Sequence, residues 1–147
     1  MPDVTFNTET MQYIALFENL TGAHAKDCLI LNGEEGRLIF VVKSGDMGMA
    51  IGRNGSNINR VKQQIGKSVE VVEHSEDPKE FLKNLFQPAQ VRGIAMSKKG
   101  DRQIAIVDVA NKDKGLAIGK NGRNINKVKA LAQRHFKIDD VIINNQK

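Results

Sequence analysis

Gly48-Met49-Ala50-Ile51-Gly52-Arg53-Asn54-Gly55-Ser56-Asn57-Ile58-Asn59-Arg60-Val61-Lys62 recurs 67 residues later as Gly115-Leu116-Ala117-Ile118-Gly119-Lys120-Asn121-Gly122-Arg123-Asn124-Ile125-Asn126-Lys127-Val128-Lys129. Of the 15 aligned positions, 11 are identical and three exchange like for like: Met49/Leu116, Arg53/Lys120 and Arg60/Lys127. Only Ser56/Arg123 differs in kind. Such a match at one offset is a duplication. A period of 67 residues exceeds that of a solenoid unit, so each copy is expected to be a small domain of its own.

The flanks repeat as well. Apolar residues Met11, Ile14, Phe17 and Leu20 predict an amphipathic helix over 8–20. Its counterpart over 78–87 carries Phe81, Leu82, Leu85 and Phe86. There Asp77-Pro78-Lys79-Glu80 reads as an N-cap, a first-turn proline and an acid three residues on, and Pro88 stops the helix. Each helix precedes two strand-like runs split by turn residues, a hairpin pattern. The first pair is Asp27–Leu31 and Leu38–Lys43 around Asn32-Gly33-Glu34-Glu35-Gly36. The second is Val91–Met96 and Gln103–Val109 around Ser97-Lys98-Lys99-Gly100-Asp101. The glycine-rich stretch follows, then a helix with Ile58, Val61 and Ile65 ended by Gly66, matched by Ile125, Val128 and Ala132. Strands Ser68–Val72 and Val141–Ile143 close the halves. The expected order is therefore α-β-β-α-α-β, twice, an α+β fold with domains over 1–75 and 76–147 and a short polar boundary at His74-Ser75-Glu76-Asp77.

The 147-residue chain has 40% hydrophobic and 27% charged residues, which fits a globular fold and not a disordered one. No apolar run approaches the ~20 residues of a membrane span. The acidic start, Met1-Pro2-Asp3, leads into no apolar stretch of a secretory signal, and the expected location is a reducing cytoplasm. Cys28 alone makes no internal disulfide and excludes a zinc site built on paired cysteines; on a predicted strand it is expected to pack as a small apolar side chain. The net charge of +5 is uneven: residues 1–75 carry 7 Lys/Arg against 9 Asp/Glu, and residues 76–147 carry 15 against 8. A basic half points to a polyanion partner.

Within each copy Gly-x-x-Gly falls between two short helical segments. Glycine permits the chain reversal and a close backbone approach. The amides that follow open at a helix N-terminus, where partial positive charge favours an anion. Arg53-Asn54 and Lys120-Asn121 each add a cation and a neutral hydrogen-bonding side chain, which suits a phosphodiester. Ile51 with Ile58, and Ile118 with Ile125, are placed to line a groove beside each loop, suited to unstacked bases of a single strand. Asn57 and Asn124 either cap the helix or contact a base. The basic residues gather here: residues 43–67 hold five Lys/Arg and one Asp, and residues 98–137 hold eleven and three. The candidate contact residues are Ile51, Gly52, Arg53, Asn54, Gly55, Ser56, Asn57, Ile58 and Lys62, and in the second copy Ile118, Gly119, Lys120, Asn121, Gly122, Arg123, Asn124, Ile125 and Lys129.

The element order with Gly-x-x-Gly between paired helices resembles the type II KH domain, present twice. The strings Gly48–Ile58 and Gly115–Ile125 resemble the tandem KH domains of NusA transcription factors, above all the short archaeal NusA-like proteins. The resemblance covers nearly the whole chain. It implies binding of single-stranded RNA in nascent transcripts, with effects on pausing, termination or antitermination; since no residues are placed to perform a reaction, no enzymatic activity and no cofactor are expected. It also implies RNA polymerase or other transcription factors as further partners. Bacterial NusA carries a polymerase-binding domain and an S1 domain for which this chain has no room. A polymerase contact is therefore expected through the KH units or another protein, and the molecule is expected to be a monomer.

Other chemistries fit less well. Gly115 to Gly119-Lys120 is one residue short of a P-loop, and Asn121 stands where the magnesium-binding hydroxyl belongs. His24, His74 and His135 are scattered and read as surface or capping residues; Asp139-Asp140 reads as a turn. Lys127, Lys129 and Arg134 read either as a solvated face or as part of the contact. Lone Tyr13 and six Phe fall mainly on apolar faces, so base contact relies on aliphatic side chains. Two other roles remain: an RNA-binding factor in ribosome assembly or RNA decay, and a protein-interaction module whose acidic first half docks on polymerase.

Overall fold

Asn7 starts the first helix by accepting a hydrogen bond from Thr10 N at 2.8 Å on its side-chain oxygen. In a computed structural model that describes residues 7–31 and 36–144, this helix, α1, runs Thr8–Thr21. Next come strands β1 (Ala25–Leu31) and β2 (Arg37–Val42), helices α2 (Met47–Ile51) and α3 (Ser56–Ile65), and strand β3 (Ser68–Glu73). The order then repeats as α4 (Pro78–Phe86), β4 (Val91–Lys99), β5 (Arg102–Val109), α5 (Lys114–Ile118), α6 (Arg123–Phe136) and β6 (Asp140–Ile143). This is the expected α-β-β-α-α-β order of the type II KH fold, found twice. The chain divides between Ser75 and Glu76 into two compact units.

In the first unit β2 is the central strand, antiparallel to β1 and parallel to β3. It is buried along its whole length, which its unbroken apolar run Leu38–Val42 anticipates. Leu38, Phe40 and Val42 form the core with Phe17 of α1 and Val61 of α3, and the Phe17 and Phe40 rings stack at 4.3 Å. Burying each such side chain contributes about 2–3 kcal/mol. Cys28 packs in this core at 2% exposure, as read from the sequence. Most of the first hairpin turn, residues 32–35, lies outside the described residues.

The second unit repeats this sheet with β5 central, antiparallel to β4 and parallel to β6. Asp77 caps α4, accepting from Lys79 N at 3.1 Å, and Phe81, Leu82, Leu85 and Phe86 are all buried. The second hairpin departs from expectation. Ser97, Lys98 and Lys99 pair with Ile104, Gln103 and Arg102, so the strands continue to a two-residue turn at Gly100-Asp101. A two-residue turn suits the twist of antiparallel strands better than a longer loop.

Helix α6 brings two corrections. Lys127 is 5% exposed and therefore on no solvated face, and His135 is buried against the Phe81 ring at 5.3 Å between centroids. Both follow from α6 packing on α4 and β6 at once, which covers a wider arc than one apolar stripe suggests. Among the described residues, no helix is long and apolar enough to cross a membrane.

Candidate nucleic-acid interface

Each glycine loop is held from both sides. Asp46, just before α2, accepts from His24 N at 2.9 Å; Asp113, just before α5, accepts from Gln90 N at 2.8 Å. Each bond ties the start of a short helix to the segment after its unit's first helix. Glu73 at the end of β3 accepts from Gly45 N at 2.9 Å and anchors the same stretch in the first unit.

The loops share one backbone path. Gly52 and Gly119 have φ/ψ of 76/172 and 78/164, a region open essentially to glycine alone. A Cβ on Gly52 would lie 2.8 Å from Asn57 N, and one on Gly119 would lie 2.6 Å from Asn124 N. These glycines are needed both for conformation and for the close approach of the next helix. Asn54 and Asn121 are left-handed, at φ 54 and 58, a conformation asparagine tolerates better than most residues. The sequence reading gave these side chains a phosphate to bond; the backbone supplies a separate reason for their identity.

Gly55 and Gly122 precede α3 and α6, and neither helix start has a side-chain cap. Within each loop the backbone turns tightly: Gly55 N donates to Gly52 O and Ser56 N to Arg53 O, matched by Gly122 N to Gly119 O and Arg123 N to Lys120 O, and the exposed side chains of Arg53 and Ser56, or of Lys120 and Arg123, stand at the helix start. The positive end of a helix dipole with an exposed cation alongside favours an anion. Next to it Ile51 is 39% and Ile118 44% exposed, unusual for isoleucine, while Ile58 and Ile125 are half-buried. Ile58 also packs against the core of its unit, so it supports the loop from below.

The two asparagines that recur in both copies are held by bonds within the protein. Asn57 Nδ2 donates to Met49 O at 2.7 Å, and Asn124 Nδ2 donates to Ala117 O at 2.9 Å. Each satisfies a carbonyl at the C-terminal end of the preceding short helix and clamps the two helices around the loop. Lys62 and Lys129 stand apart from the cradles. Each lies six residues along its helix, about 9 Å by helical rise. Lys129 Nζ sits 3.4 Å from Asp140 Oδ1, an exposed pair of small energetic weight. Arg134 is half-buried.

Two features escaped the sequence reading. Asp46 and Asp113 obey the same 67-residue offset, just outside the quoted stretch, and extending the alignment by two residues finds them. Met49 and Leu116, 48% and 55% exposed, add apolar surface near the loops; no pattern distinguishes them from core residues. Among the described residues no cluster of three His, Cys, Asp or Glu side chains is placed to hold a metal.

Comparison with known proteins identifies both units. Residues 11–76 match the family model described as KH domain, and residues 78–146 match the NusA-like second KH domain. The chain is 41% identical over 138 residues to the "Probable transcription termination protein NusA" of Halobacterium salinarum, covering 94% of this chain and 96% of that one. It is 34% identical over 149 residues to the protein of the same name from Methanocaldococcus jannaschii, covering 100% of this chain and 80% of that one. The crystal structure of APE1850 superposes with a TM-score of 0.84 at 35% identity, covering 95% of this chain and 100% of that one.

Proposed function

The chain belongs to the NusA-like family of tandem KH-domain proteins, and from that premise we propose that it binds single-stranded RNA in nascent transcripts as a transcription termination or antitermination factor. The observation that carries the reading is the doubled cradle. Two loops 67 residues apart repeat each other's backbone angles within about ten degrees, and each puts a cation beside a helix N-terminus that carries no side-chain cap.

In this reading the peptide amides and Arg53 or Lys120 fix the phosphodiester chain, and the isoleucine-lined groove receives unstacked bases. Each unit grips about four nucleotides. Gly52, Asn54, Gly55 and Asn57, with Gly119, Asn121, Gly122 and Asn124, shape the cradle; Ser56 and Arg123 flank it at the first helical position. Lys62 and Lys129 act at longer range. The protein works in the cytoplasm as a non-enzymatic monomer, and it reaches RNA polymerase through its KH units or through another protein.

Salt dependence tests the electrostatic part. Four phosphate contacts to a single strand give a slope of about −2.8 in log K against log salt, hence roughly 50-fold weaker binding at 200 mM than at 50 mM. Fluorescence anisotropy with a labelled single-stranded RNA reads this slope. A flat dependence would remove the phosphate cradle from the account. Cross-linking in cells then separates the biological roles: nascent transcripts support the termination role, and ribosomal RNA alone would replace it with one in ribosome assembly.

A further inference from the structure

A second group of cations gathers at the end of the second unit remote from its cradle. Across the β4–β5 ladder Lys99 pairs with Arg102 and Lys98 with Gln103, next to the turn. Gln103 also holds the chain that leaves α6: its N–H donates to Asp139 Oδ2 at 2.8 Å, and its carbonyl accepts from Asp139 N at 2.8 Å. Lys137, two residues earlier, is thereby brought to the same end as Lys98, Lys99 and Arg102, and all four are exposed. Among the described residues the carboxylates nearby are Asp101 in the turn, Asp139, which is engaged with Gln103, and Asp140, which lies across from Ile104 and is engaged with Lys129 at 3.4 Å. The 14 residues of α6 separate this end from Gly122 by about 21 Å.

Several observations indicate that this is more than a solvated rim. The first copy has Glu34 and Glu35 between its corresponding strands, so the fold does not require cations there. Lys137 adopts left-handed backbone (φ 54) at the end of α6, whereas Gly66 occupies that position at the end of α3. A strained conformation is thus kept at a cation where glycine would relieve it. Among the described residues, none of the exposed large apolar side chains belongs to this group, so no apolar anchor of the kind around which protein interfaces are built is seen in it. Cations without such an anchor suit a phosphodiester chain, bound by counterion release.

We propose that Lys98, Lys99, Arg102 and Lys137 form a second phosphate-contact surface, which takes RNA extending beyond the tract held at the cradle. This rests on the RNA-binding reading of the cradle. The test compares the full chain with the variant Lys98→Gln, Lys99→Gln, Arg102→Gln, Lys137→Asn on randomised single-stranded RNAs of about 6 and about 20 nucleotides, since one cradle grips only about four. The expected result is unchanged binding of the short RNA, about tenfold or greater loss with the long RNA, and a salt slope shallower by about 2–3. Lys137→Gly alone is expected to raise the melting temperature while weakening long-RNA binding.

Equal losses on both RNAs, or an unchanged long-RNA affinity and slope, would overturn the proposal and leave the cradle reading intact. Wild-type protein that binds neither RNA would remove both. If polyglutamate bound the wild type but not the variant, while long-RNA binding survived, the surface would belong to an acidic polypeptide instead.

Discussion

Replacing Arg53-Asn54 and Lys120-Asn121 with aspartate pairs is expected to weaken RNA binding by about 100-fold or more. Each loop changes from one positive charge to two negative ones, directly before the N-terminus of α3 or α6. Charge-assisted contacts are worth about 1.5–3 kcal/mol each, so losing one per loop already accounts for two orders of magnitude or more. Repulsion adds to that loss and is screened by salt. The fold should survive, because Arg53 and Lys120 are exposed and aspartate shares asparagine's tolerance of left-handed backbone at positions 54 and 121. Anisotropy titrations beside thermal melts check both parts. With one loop changed at a time, the second copy should matter more, since it carries exposed Arg123 at the first helical position, where the first copy has Ser56. A well-folded variant with wild-type affinity would dispose of the loop model.

The second large effect is on stability and comes from the first glycine of each loop. Gly52→Ala or Gly119→Ala places a methyl group 2.8 or 2.6 Å from a backbone nitrogen, that of Asn57 or Asn124. That nitrogen is in the first turn of the following helix, and the same residue's side chain clamps the preceding helix. Little can move aside. Overpacking and a glycine-only conformation each cost about 1–3 kcal/mol, for a combined loss of about 2–6 kcal/mol. For a unit of this size, that lowers the melting temperature by about 10–20 °C or more. Gly55→Ala and Gly122→Ala should be milder, at about 1–2 kcal/mol, because only left-handed strain is added. The atoms nearest a Cβ there are amide tips of Asn59 and Asn126, at 3.5 and 3.7 Å. If thermal melts ranked the second glycines as the more sensitive, the close-approach argument would be wrong.

Much of this architecture can be read from the repeat. One offset aligns the two loops, and local patterns on either side give the element order, because caps, turns and apolar periodicity act within a few residues. Gly66 ending α3 and Asp77 capping α4 are such local facts. What was hidden depends on contacts between distant segments. Lys127 and His135 are buried because α6 lies against both α4 and β6, which no periodicity within α6 reveals. Lys129 meets Asp140 only because β6 returns alongside that helix. The clamping role of Asn57 and Asn124 required knowing where the carbonyls of Met49 and Ala117 point. Ser97–Lys99 looked like turn residues from composition, yet the ladder extends through them.

Amide-resolved NMR of the full chain, titrated with a short single-stranded RNA, tests the central claim most directly. The account predicts that the largest shift changes fall on Gly52–Ile58 and Gly119–Ile125, with the helix-start amides moving first and the changes reversing as salt is added. Saturable RNA binding that leaves both glycine loops unmoved would contradict it.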